Sequence, residues 1–99
     1  MSTSIATLVD RTLTAFDALT AVAEQVVDET QYITDLGLVW RGRLNAVRAA
    51  RGSETASDET ISAIDAASSE VARIVDPHRA IDWLSTLPQV ALVALDEAT

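Results

Sequence analysis

Through the first half of the chain an apolar side chain returns every seven residues: Ile5, Leu19, Val26, Ile33, Trp40 and Val47, with only Thr12 interrupting. A second register four residues on reads Val9, Phe16, Ala23, Thr30, Gly37 and Leu44, and a third, three residues on, includes Leu8, Ala15, Val22 and Leu36. An α-helix advances about 100° per residue, so spacings of three, four and seven gather these side chains on one stripe. Asp10, Asp17, Glu24 and Gln31 repeat with the same step on the other side. Such a chain is built to bury helices against helices.

Ninety-nine residues make one domain, with a core that is marginal unless its helices pack closely or a second copy contributes. A single helix over residues 4–51 would be about 70 Å long at ~1.5 Å per residue, too long for one small globule to cover evenly. With 48% hydrophobic and 22% charged residues the chain does not have the composition of a disordered tail. The longest apolar run, Val90 to Leu95, is far too short to cross a bilayer. Without cysteine, disulfides and thiolate metal sites are ruled out. A basic segment followed by an apolar core is missing near the N-terminus, so no cleaved signal peptide is expected and the cytoplasm is the expected location. The net charge of −8 disfavours general attraction to nucleic acid or anionic membrane.

Ser2, Thr3 or Ser4 can cap the first helix. Gly37 and Gly42 each weaken a helix interior by about 1 kcal/mol relative to Ala, yet Leu36, Val39, Trp40, Leu44 and Val47 keep helical spacing past both. A continuous or kinked helix over 4–51 is the expectation, and a break at 37–42 is its rival. Arg48 and Arg51 suit the last turn, and Gly52 suits a left-handed residue just beyond it. GSETAS at 52–57 is the one obvious loop. Thr55 with Asp58 resembles a capping box, placing a second helix over 56–75 with Ile61, Ile64, Ser68, Val71 and Val75 inward. Asp76-Pro77 ends it and opens a third over 77–97, where Ile81, Leu84, Leu87, Ala91 and Leu95 share a face. Pro88 removes a backbone donor and is expected to kink or split that helix. LPQVALVAL at 87–95 has no charged face; it is either buried on several sides or docked on a partner, with a short strand as the minority reading.

Residues able to do chemistry are sparse. His78 lies one helical turn before Asp82 and two residues after Asp76, a spacing that can share a metal or a proton, but the first turn of a helix after proline more often holds a solvated or capping residue. Glu-x-x-His pairs, as di-metal helical proteins use, are missing. Glu24 with Asp28 and Glu54 with Asp58 are four apart and read as solvated faces. Glycine-rich phosphate loops and Ser/His/Asp arrangements have no candidates.

Charge is distributed unevenly. Residues 1–35 carry six carboxylates and one arginine, residues 54–76 carry the same, and the span from Leu36 to Ser53 carries Arg41, Arg43, Arg48 and Arg51 with no acid. This basic node docks an acidic partner, another subunit or a phosphate backbone, unless the acidic second helix folds alongside and neutralises it. Trp40 continues the buried series; Trp83 lies off the Ile81/Leu84 line, as interface anchors often do, and Tyr32 is also off the main stripe.

Two resemblances follow from these residues. Trp40-Arg41-Gly42 is a W-x-G tripeptide in the middle of a cysteine-free, acidic, helical chain, which resembles the WxG-motif family of small type VII secretion substrates. That resemblance implies a dimeric helical hairpin bent at 40–42 and exported without a cleaved signal. The family's C-terminal Tyr-x-x-x-Asp/Glu motif is absent; His78-Arg-Ala-Ile-Asp82 has its spacing with His in place of Tyr. The order of one very long helix and two shorter ones is similar to the all-helical chorismate mutases, which are swapped dimers. Their cationic residues along the long helix have no counterpart between Arg11 and Arg41.

The expectation is therefore an all-α chain, a long N-terminal helix plus two shorter ones, bundle-like or coiled-coil-like and completed by oligomerisation as a homodimer or within a larger complex. Its oligomer or core stripe is Ile5, Val9, Phe16, Leu19, Val26, Ile33, Trp40, Leu44 and Val47. Its partner would be a protein, bound through Arg41, Arg43, Arg48 and Arg51 and through Trp83, Leu87, Val90, Leu92 and Val93. Catalysis, metal and cofactor are not expected.

Overall fold

The computed structural model describes residues 3–97 and is all-helical: α1 spans Ile5–Ala23, α2 Thr30–Arg51, α3 Asp58–Val71 and α4 Pro77–Glu97. The expected helix over 4–51 is thus two helices. Its break falls at residues 24–29, where Val26 takes an extended conformation and Val27–Glu29 form one 3₁₀ turn. No glycine or proline marks the site. Hydrogen bonds tie the turn to the end of α1 and the start of α2, with Val26 N–H donating to Ala23 (3.0 Å), Glu29 N–H to Val26 (3.1 Å) and the Thr30 hydroxyl to Val27 (2.7 Å). Folding there lets the apolar stripe close on itself, with Phe16, Leu19 and Ala23 of α1 joining Ile33 and Trp40 of α2 in one buried cluster. Burying several such side chains, at roughly 1.5–3 kcal/mol each, outweighs a few helical hydrogen bonds.

The rival break at 37–42 is not seen; α2 runs straight through both glycines. Antiparallel pairing of α1 and α2 is set at the loop end by Ile5 N–H to Glu54 (2.9 Å) and Ala6 N–H to Gly52 (3.0 Å). Gly52 is right-handed, at φ −59°, rather than left-handed. Its lack of a side chain serves close approach, because a Cβ there would clash with the Arg48 carbonyl oxygen and come within 3.2 Å of the Ala6 Cβ.

Ser57 caps α3 by accepting the Thr60 N–H (3.2 Å), so the helix starts at Asp58 and the Thr55 capping box is not used. α3 also ends earlier than expected, at Val71; Ile74 turns inward beyond it and Val75 is exposed. Ala56 N–H bonds to Thr3 (2.8 Å) and Arg11 meets Asp65, which lays α3 parallel to α1. α4 runs back against both.

α4 passes Pro88 without a break. A proline inside a helix costs about 3 kcal/mol, and here Leu84, Leu87, Pro88, Ala91 and Leu95, all buried, hold the segment on both sides of it. The stretch 87–95 is therefore helix rather than strand, with Leu87, Pro88, Ala91, Ala94 and Leu95 buried and Val93 exposed. α4 touches α1, α2 and α3, with α1–α4 the most extensive contact, whereas the backbones of α2 and α3 do not come close among the described residues. Two apolar clusters fill the interior: one around Phe16, Trp40 and Leu84, the other around Ile5, Leu44, Ile64 and Leu95. Thr12, the one polar member of the first apolar series, is fully buried and donates its hydroxyl to the Leu8 carbonyl (2.9 Å). The radius of gyration is 13.3 Å, and no helix among the described residues is long and apolar enough to cross a membrane.

Candidate interaction surfaces

The basic node is largely neutralised within the chain, and by α1 rather than by the acidic helix α3. Arg41 meets Asp17 (2.8 Å) and Arg48 meets Asp10 (3.3 Å), two pairs spaced seven residues apart on each helix. Asp10 and Asp17, which read as a solvated face in sequence, therefore line the α1–α2 seam. Arg51, mostly buried, meets Glu54 (3.4 Å) and donates to the Leu95 carbonyl (3.0 Å) at the end of α4. Only Arg43 of the four enters no ion pair among the described residues, and its guanidinium lies 5.0 Å over the Trp40 ring.

The expected apolar contact residues divide in a similar way. Leu87 is fully buried; Trp83, Val90 and Leu92 are partly buried and pack on the core. Val93 is exposed, and with Gln89, Val90, Ala94 and Ala63 it lines a shallow depression of about 400 Å³ between α3 and α4. In the expected core stripe Ile5, Val9, Phe16, Leu19, Ile33, Trp40 and Leu44 are buried, while Val26 and Val47 are partly so. His78 is exposed and its N–H donates to Asp76 (3.0 Å), a helix-capping arrangement. Among the described residues no three His, Asp or Glu side chains gather as a metal site.

A concavity also lies where sequence reading did not place a site. Thr7, Asp10, Arg11, Thr14, Ala15 and Ala18 of α1 face Asp65, Ser68 and Val71 of α3 and the adjoining Ala72 across a groove of about 560 Å³. It opens because both helices present small side chains there, so parallel α1 and α3 cannot close over their shared flank. The groove follows α1 for some three turns, about 16 Å at ~1.5 Å per residue. Arg11 and Asp65 span it at 3.4 Å, and Asp10 is turned to Arg48, so its ionisable groups already have partners. The signal available in sequence was the small-residue flank of α1 at Thr7, Thr14 and Ala18 with Ser68 and Ala72 on α3.

A second surface is the outer side of α2. Tyr32, Leu38 and Val39 are 47%, 73% and 55% exposed, and α2 packs only on α1, α4 and the turn before it. Trp40-Arg41-Gly42 lies inside this helix and not at a bend, unlike the hairpin that the W-x-G resemblance implies; the long helix implied by the chorismate mutase resemblance is likewise divided. No protein-family model matches the chain, and no curated protein or solved structure is significantly similar to it.

Proposed function

We propose that this protein is a non-catalytic helical interaction subunit, with the α1–α3 groove as the place where a partner protein lays a helix. The observation that carries the reading is the groove itself, three helical turns long, with Ala15, Ala18, Val71 and Ala72 among the residues that line it. Small apolar linings between two helices suit the larger apolar side chains of an amphipathic third, anchored at i, i+3, i+4 and i+7. The ion pair of Arg11 with Asp65 that spans the groove is half-exposed, and a surface pair of that kind is worth under about 1 kcal/mol, so an incoming helix can displace it at little cost. The acidic balance of the chain favours a protein over a polynucleotide as the occupant.

A photo-crosslinking residue at Ala18, introduced in the native host, is expected to yield one defined adduct that is absent when the probe sits at exposed Arg79. Ala18→Arg is expected to abolish capture of that same adduct partner without unfolding the chain. Equal labelling from both positions, or capture undiminished by Ala18→Arg, would remove the groove from the reading.

A further inference from the structure

We infer that the outer face of α2 pairs two copies of this chain antiparallel about a two-fold axis through Val39, independently of the groove. Tyr32, Leu38 and Val39 stand out from it, Gly42 leaves open space where a side chain would be, and Ala46 and Ala49 continue it with little bulk. Asp35 and Arg43 are the charged residues on this side, and neither enters an ion pair among the described residues.

Their positions are symmetric about Val39. At ~1.5 Å per residue each lies about 6 Å from it along the helix, in opposite directions. In an antiparallel pair centred there, Asp35 of one copy comes level with Arg43 of the other, and the two-fold repeats this relation. A parallel pair would instead set Arg43 level with Arg43 and Asp35 with Asp35, which like-charge repulsion opposes. The same antiparallel register brings Tyr32 level with Ala46, large opposite small, with Val39 against its own copy. Gly42 lets the two backbones approach closely. Unlike the rest of this net-negative chain, the α2 surface beyond Asp35 carries no acid as far as Ser53, so two copies meet there with least repulsion.

Sedimentation of the full chain over a wide concentration range tests the inference. The wild type is expected to dimerise reversibly. Asp35→Arg and Arg43→Asp are each expected to weaken that dimer about tenfold, since each replaces two favourable oppositions with two repulsive ones. An equimolar mixture of the two variants is expected to recover the wild-type affinity as a heterodimer, the result that a general loss of stability does not produce. Gly42→Trp fills open space in the monomer and is expected to abolish pairing while far-ultraviolet circular dichroism is unchanged. A wild type that stays monomeric at every concentration, or single charge variants that associate as the wild type does, overturns the proposal. Crosslinking from Ala18 in the Gly42→Trp background reads the groove separately, so either surface can fail without the other.

Discussion

Arg41 and Asp17 clasp α2 to α1: the guanidinium sits 2.8 Å from the carboxylate oxygen while lying 5.1 Å over the Phe16 ring. Gly37, one turn earlier, makes room for this, because a Cβ at that buried position would lie 2.5 Å from the Arg41 Nη1. The glycine that looked in sequence like a weak point of the helix thus serves a cross-helix contact.

Removing that glycine should separate two effects of similar size. Gly37→Ala gains about 1 kcal/mol of helix propensity and displaces Arg41 from a half-exposed pair worth under about 1 kcal/mol, so net stability is expected to change little. The coupling between Arg41 and Asp17 in a double-mutant cycle is expected to be measurable in the wild type and to vanish with Ala at position 37. Coupling that survives would mean Arg41 does not need the space.

Burial distinguishes two neighbours on α4 that share an apolar character. Leu87→Ala empties a fully buried position and is expected to cost about 2–5 kcal/mol, a large share of the stability of a domain this size. Val93→Ala, exposed, is expected to stay within about 0.5 kcal/mol. Urea denaturation of both variants makes the comparison, and equal costs would contradict the inward placement of the 87–95 segment.

The end of α4 is held from two other helices. Its Ala94 carbonyl accepts the buried Thr60 hydroxyl of α3 (3.0 Å) and its Leu95 carbonyl accepts Arg51 of α2, so groups that a helix terminus leaves orphaned are received by the tertiary structure. Thr60→Val keeps the shape and removes the donor; a loss of about 1–3 kcal/mol is expected in thermal or urea unfolding. Ser57→Ala, which removes only a cap, is expected to cost about 1 kcal/mol.

The turn at 24–29 should persist when its local chemistry is made more helical. Val26→Ala with Val27→Ala raises helix propensity by under about 1.5 kcal/mol in sum, less than the burial that the hairpin secures. Energy transfer between labels at Thr14 and Asn45 is expected to report neighbouring helices in both the wild type and the double variant. One continuous helix would separate those labels by about 46 Å at ~1.5 Å per residue, and a reading near that length would refute the hairpin.

Much of the architecture is legible in the sequence. The seven-residue apolar series picked out Ile5, Phe16, Leu19, Ile33, Trp40 and Leu44, all of them buried, and Asp76-Pro77 correctly opened the last helix. The candidate site was less legible. The arginines drew notice as a charge cluster, yet whether a charge is free depends on what lies within about 4 Å, and Asp10 and Asp17 are more than twenty residues away along the chain. The groove was invisible for a related reason: Ala15 and Ala72 are unremarkable in their own helices and define a concavity only when α1 and α3 lie parallel.

Amphipathic period, capping residues and the Asp-Pro boundary were local properties, and they determined by themselves that this chain is helical and which of its apolar side chains, for the most part, turn inward. Periodicity names the face to be covered but is silent on what covers it. The fold-back at Val26, the neutralisation of three arginines and the open flank between α1 and α3 were decided by tertiary structure, because each is a balance between distant surfaces in which apolar burial outweighs weak local preference.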